Sequence, residues 1–172
     1  MRIELVPPLP EHLPAIFSWR SEASSVRHNP LASTDFASFV KSFANVGSDL
    51  SDLTRFERFG WTCLLNGEVA GNINLKGISQ MMAYAELGYT VGEKFQGRGV
   101  GTAMVRELLR KIFEETELRK IFALVHDQNT ASQKLLKRLG FQEEGLLREH
   151  YIINGKPENE LFLGLLRKDW RG

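Results

Sequence analysis

Seven residues, Gln96-Gly97-Arg98-Gly99-Val100-Gly101-Thr102, constrain the fold of this chain more than any others, because they join an extended run to a strongly amphipathic helix. Three glycines in so short a stretch allow a tight turn at positive φ, so that successive N–H groups converge on an anion with no Cβ in the way. Upstream, residues 85–91 (AELGYTV) read as extended chain. Downstream, Val105, Leu108, Leu109, Ile112 and Phe113 recur at i, i+3, i+4, i+7 and i+8, the spacing of one helix face. The helix adds the positive end of its dipole. Strand, glycine loop and helix in that order make a candidate phosphate cradle.

Two well-known cradles fail on spacing. A dinucleotide fingerprint starting at Gly97 or Gly99 needs its third glycine where Thr102 or Met104 stands, and a nucleotide P-loop needs a Gly-Lys-Ser/Thr ending that is missing here. The pattern that fits is Gln/Arg-x-x-Gly-x-Gly/Ala, met by Gln96, Gly99 and Gly101. It resembles the pyrophosphate loop of the GNAT superfamily of N-acetyltransferases, whose ligand is acetyl-coenzyme A. Further on, Asn129-Thr130-Ala131-Ser132 precedes Gln133 to Leu139 and then Gly140-Phe141. That run is similar to the second cofactor motif of the Rim-type branch, which acetylates protein N-termini and includes many small-molecule acetyltransferases. Gly140 is also a plausible helix stop in its own right, with Phe141 starting a strand. Ser18-Trp19-Arg20, Ala85-Glu86-Leu87-Gly88-Tyr89, Gly145 with Arg148, and Asn154-Gly155 carry the resemblance along nearly the whole chain.

Composition agrees with one compact enzyme domain spanning residues 1–172. With 42% hydrophobic residues the chain can bury a sizeable core, and a net charge of +1 gives no reason to expect nucleic acid or an acidic membrane as a partner. The one cysteine, Cys63, has no internal disulfide partner, and no apolar run near the N-terminus is long enough for a signal peptide or membrane span. The cytoplasm is the compartment this predicts. Along the chain, Arg2 to Val6 reads as a strand ended by Pro7-Pro8, and Glu11 to Arg20 as helical. Thr34 is placed to cap a helix bearing Phe36, Phe39, Val40 and Phe43, and Gly47 to Asp52 reads as a connection. Trp61–Leu65 and Glu68–Leu75 read as strands joined by an Asn66-Gly67 type I′ turn. Lys120–Val125, Phe141–Leu147 and Leu161–Leu166 are later strands, with Asn154-Gly155 inside the last connection.

The resemblance implies an α/β (α+β) fold: a mixed, mostly antiparallel central sheet flanked by helices, with a splayed strand pair forming the acetyl-coenzyme A cleft. It implies cofactor contacts from Tyr89, Val91, Gln96, Gly97, Arg98, Gly99, Val100, Gly101, Thr102, Asn129 and Ser132, with no metal. A backbone amide near Gly88 to Val91 is expected to polarise the thioester carbonyl. Homodimers are frequent among similar proteins.

Acetyl transfer needs a neutral amine and protonation of the departing thiolate. An α-amine, with pKa near ~8, loses its proton at less cost than a lysine amine near ~10.4. Glu86, on the strand before the glycine loop, is the candidate base; its plain alternative is a carboxylate that binds a substrate ammonium or pairs with a neighbouring cation. Many members carry a tyrosine acid where this chain has Leu136. Ser132 is then the candidate to stabilise or protonate the thiolate, against the alternative of a helix-start residue satisfying its own backbone. Asn129 reads either as a cofactor ligand or as an ordinary N-cap. Glu149 is a second carboxylate with a solvated surface role as its alternative, and His126, beside Asp127, is placed to cap a turn. Trp19, Arg20 and Phe36 read chiefly as packing and surface pairing, and Cys63 as packing rather than an acyl carrier. Asn159 stands where Rim-type chains often have Asp, between Glu158 and Glu160. The acceptor is accordingly read as an amine, a protein N-terminus or a small molecule; a coenzyme A sensor without catalysis is the competing class.

Overall fold

The fold is that of a computed structural model in which residues 2–29 and 35–172 are described. Seven strands, β1 (Ile3–Val6), β2 (Phe59–Leu65), β3 (Glu68–Ser79), β4 (Tyr84–Val91), β5 (Lys120–His126), β6 (Gln142–Ile153) and β7 (Lys156–Leu166), form one sheet in the order β1-β2-β3-β4-β5-β7-β6. All neighbours are antiparallel except β4 and β5, which run parallel. Among the described residues five α-helices accompany the sheet: α1 (Leu13–Ser18), α2 (Ala23–His28), α3 (Phe36–Lys41), α4 (Val100–Glu115) and α5 (Thr130–Arg138).

The parallel pair is the feature that positions the site. Its register covers only Tyr84↔Lys120, Ala85↔Ile121 and Glu86↔Phe122, although β4 continues to Val91 and β5 to His126. Beyond Glu86 the two strands part. The splayed pair expected from the resemblance is therefore present, with the glycine loop at its open end.

Helix α4, the crossover between the parted strands, buries Val100, Met104, Val105, Leu108, Leu109 and Ile112 against the sheet, which is the stripe its sequence periodicity predicts. Helix α5 ends in a Schellman motif. Gly140 has φ 94°, the Phe141 N–H donates to the Leu136 carbonyl at 3.1 Å, and the Gly140 N–H to that of Lys137 at 3.1 Å. Asn66 and Gly67 have φ 51° and 87°, as the type I′ turn between β2 and β3 requires.

Three elements differ from the sequence reading. Strands β6 and β7 run up to Asn154-Gly155, which is a hairpin turn with φ 51° and 77° rather than part of a long connection. Bulges between Glu143 and Gly145 and between Leu147 and Tyr151 break the alternation of β6, so the strand read from the sequence stops at Leu147 while β6 runs on to Ile153. Pro157 is tolerated because β7 pairs with β5 only from Glu160 onward, which leaves that side of Pro157 free of a ladder partner. Helix α2 was not anticipated; it buries no residue, so it has no apolar period to read. The third difference is the Glu11 to Arg20 helix, which is interrupted by 3₁₀ turns at Pro10–His12 and Trp19–Ser21. Thr34 lies outside the described residues, and the side chain seen capping α3 is Asp35, whose Oδ1 accepts the Ser38 N–H at 2.8 Å. Leu13, Ile16, Trp19 and Phe39 form a second, smaller core, which gives Trp19 its packing role.

Candidate functional site

The glycine loop is built as an open cradle. Gly97 and Gly99 have φ 70° and 81°, a region costly to any other residue, and Gly99 is the N-cap of α4. The first helical bond runs from the Ala103 N–H to the Gly99 carbonyl at 3.0 Å, so the N–H groups of Val100, Gly101 and Thr102 have no acceptor within the helix. Gly97, Arg98 and Gly99 are exposed, while Val100 and Gly101 are buried beneath them. At Gly101 the first turn of α4 closes on its neighbours: a Cβ there would lie 2.9 Å from Leu135 Cδ1 and 3.4 Å from Val91 Cγ2. Gln96 faces the protein rather than the cradle. Its Nε2 donates to the Val91 carbonyl at 2.9 Å and to Ser24 Oγ at 3.2 Å, tying the loop to β4 and α2.

Side chains alternate across β4. Tyr89 shares the face of Ala85 and Leu87, turned toward α4 and α5, and its hydroxyl lies 2.7 Å from Ser132 Oγ. Burial pushes the Tyr89 phenol up to about 12, against a smaller lowering by the bond to Ser132. Asn129 Oδ1 accepts the Ser132 N–H at 3.1 Å, so the N-cap reading of Asn129 is realised. Leu136 is fully buried in the core. A phenol is thus supplied to Ser132 from the neighbouring strand, a pairing that spacing along one segment does not reveal.

Glu86 projects from the opposite face of β4, at the last residue paired with β5. Its Oε1 is 3.1 Å from Lys76 Nζ, directly across the β3–β4 pair, so the cation-pairing alternative is realised as well. On this face Tyr84 meets Phe122 edge-on at 5.7 Å, and Phe122 stacks on Phe162 at 4.7 Å. Farther along β5, His126 Nδ1 lies 3.0 Å from Nδ1 of His28, so the His126 ring reaches α2 instead of capping its own turn. Burial lowers the His28 pKa, with smaller contributions from His126 and Arg27.

These parts can be set beside known proteins. The family model described as acetyltransferase (GNAT) domain matches residues 2–142. The chain belongs to the GNAT acetyltransferase family. An uncharacterized N-acetyltransferase of Bacillus licheniformis is 34% identical over 125 residues, covering 73% of this chain and 70% of the relative. The [ribosomal protein uS5]-alanine N-acetyltransferase of Escherichia coli is 29% identical over 104 residues, 60% of this chain and 54% of that enzyme. The GNAT chain therefore spans little more than half the length of the latter. The crystal structure of spermidine N-acetyltransferase from Vibrio cholerae in complex with CoA and spermine superposes with a TM-score of 0.83, covering 97% of this chain and 96% of that one at 19% identity, and shares the fold.

Other residues of the GNAT chain fall into supporting places. Cys63 is fully buried, and burial pushes its thiol up to about 11, so it packs rather than reacts. Glu149 is exposed on a bulged stretch of β6, as its solvated alternative implies, and its N–H donates to Asn159 Oδ1 at 2.9 Å. His150 Nδ1 lies 2.6 Å from Glu160 Oε2. Phe36, 42% exposed, packs edge-on against Phe17 at 5.3 Å, and Arg20 sits over the Phe39 ring. Among the described residues, no helix is long and apolar enough to cross a membrane.

Proposed function

We propose that this chain transfers acetyl from acetyl-coenzyme A directly to a primary amine, with a protein N-terminal α-amine as the acceptor. The observation that carries the reading is the parting of β4 from β5 after Glu86, with the glycine cradle at the mouth of the gap. The amides of Val100 to Thr102, with Gly97, Arg98 and Gly99 around them, hold the pyrophosphate. The edge of β4 over Gly88 to Val91, paired with β3 on one side and without a β5 partner on the other, lines the gap and orients the thioester carbonyl, while Asn129 and Ser132 face it from the start of α5.

Acetyl-coenzyme A supplies the acetyl group and leaves as the free thiol. Glu86, held beside Lys76 at 3.1 Å, accepts the amine proton directly or through one water as the new N–C bond forms and the C–S bond breaks. Ser132, bonded to the Tyr89 phenol, gives the departing sulfur its proton. Glu86 and the Tyr89–Ser132 pair sit on opposite faces of β4, which separates the proton-accepting and proton-donating sides of the reaction. The sensor class fits less well, since a binding module has no use for this division.

A small cationic amine such as a polyamine is the second reading. It is favoured by Asp127, Glu158 and Glu160 near the ends of β5 and β7, on the side of the sheet that carries Glu86. The two are separated by mass spectrometry of products after incubating the protein and acetyl-coenzyme A with an alanine-ended peptide and with spermidine at equal concentration. The proposal expects acetyl-peptide as the main product, and a loss of about 10²-fold in kcat/KM in Glu86→Gln. Acetyl-spermidine as the main product moves the assignment to polyamines, and no product from any amine with coenzyme A still bound supports the sensor class.

A further inference from the structure

The far end of β5 holds a polar cluster, a buried histidine beside two half-buried carboxylates, that the acetyl-transfer scheme leaves unused. His126 is 6% exposed; its Nε2 and Asp127 Oδ1 are both buried without a hydrogen-bond partner. Leaving such atoms unsatisfied costs about 1–3 kcal/mol each. Nε2 lies 3.7 Å from Asp127 Oδ1 and 3.6 Å from Glu158 Oε2, and the three atoms all lie within 4.8 Å of one another. These separations are too long for hydrogen bonds. The two His126 separations are close to the roughly 3.4 Å between neighbouring ligands of a tetrahedral ion with bonds of ~2.1 Å.

The surroundings orient His126 and Asp127 toward one another. His126 Nδ1 lies 3.0 Å from His28 Nδ1, and in the tautomer where His126 Nδ1–H donates there, the Nε2 lone pair is on the side of the two carboxylates. Asn159 Nδ2 donates to Asp127 Oδ2 at 3.0 Å, which leaves Oδ1 turned to the cluster. The amide orientation of Asn159 is fixed from its other end, because its Oδ1 accepts the Glu149 N–H at 2.9 Å. The Asn in place of the Rim-type Asp thereby acquires a use: an aspartate at this position would set a like charge against Asp127, whereas the amide orients it. Hydrogen bonds to the backbone of Asp127 hold the segment, its N–H donating to the Asn159 carbonyl at 3.1 Å and its carbonyl accepting from the Gln133 side-chain Nε2 at 2.7 Å.

We propose that His126 Nε2, Asp127 Oδ1 and Glu158 Oε2 form a three-ligand site for a divalent metal ion of the zinc class. One imidazole and two carboxylates suit a borderline divalent ion, and the two negative charges balance it. Bound there, the ion satisfies both orphaned atoms and clips the β5–α5 connection to β7 beside the acceptor face. A fourth position stays open to water or an acceptor-side group.

The test uses the full chain with any purification tag removed, stripped with chelator, dialysed, and titrated with Zn²⁺ alone by calorimetry. Expected are one equivalent per chain, a rise in Tm on adding Zn²⁺, and at least about tenfold weaker binding in Glu158→Gln. The double variant Asp127→Asn/Glu158→Gln is expected to lose saturable binding and the Tm response, with an unchanged circular dichroism spectrum. No saturable binding by the wild type, or binding unchanged in the double variant, overturns the site. Should the double variant fail to fold, the single Glu158→Gln protein, altered at a half-buried position, decides by the same comparison: unchanged affinity there also overturns it.

Discussion

Gly99→Val weakens coenzyme A binding by about 100-fold or more while the protein stays folded. Gly99 has φ 81°, and a β-branched residue held there costs roughly 1–2 kcal/mol in backbone strain, so the loop relaxes away from its cradle shape. The added side chain also stands where the ligand approaches the amides of Val100 to Thr102. Charge-assisted hydrogen bonds are worth about 1.5–3 kcal/mol each, and losing one together with the strain gives close to the ~2.7 kcal/mol that a 100-fold change represents. Because Gly99 is exposed, Tm shifts by only a few degrees. Gly101→Val fails in a different way. Its Cβ falls 2.9 Å from Leu135 Cδ1, so overpacking costs about 1–3 kcal/mol of stability and Tm falls together with affinity. Calorimetric titration with coenzyme A, alongside thermal melts, distinguishes the two. Unchanged affinity in folded Gly99→Val protein removes the loop from the site.

Ser132→Ala and Tyr89→Phe each lower kcat by about 10²-fold, the scale of a lost proton donor, with KM for acetyl-coenzyme A changed only a few-fold. The two hydroxyls lie 2.7 Å apart and act as one unit, so the double variant is expected to be little worse than either single one. Additive losses, with the double variant down by the product of the singles, would show that the hydroxyls serve separate ends. The phenol sits at about 12 and therefore stays protonated throughout an assay range of neutral to mildly alkaline pH. Any fall in rate on that alkaline side belongs to another group and persists in Tyr89→Phe.

The glycine loop, α4 and α5 were legible in the sequence because their signals are local: positive-φ glycines, a helical apolar period, and a glycine stop followed by Phe141. The splay of β4 from β5 came only with the resemblance, since a parting of strands leaves no mark in either one. What the sequence concealed depends on pairing across the fold. The partner of Tyr89 is concealed until α5 brings Ser132 to it, and the cation that the sequence offers to Glu86 has no identity until β3 places Lys76 opposite. His126, Asp127, Glu158 and Asn159 come from two segments that meet only in the β5–β7 register, so their joint geometry is invisible along the chain. Of the two readings of Asn129, the N-cap is the one realised, its oxygen accepting the Ser132 N–H at the start of α5.

The most direct measurement is a crystal structure of this chain with acetyl-coenzyme A bound. Pyrophosphate oxygens within about 3 Å of the Val100 to Thr102 amides, and the thioester lodged between β4 and β5 with Ser132 at its sulfur, are the predicted result. Coenzyme A bound elsewhere, or held by the loop with its pantetheine arm outside the gap, would contradict the account.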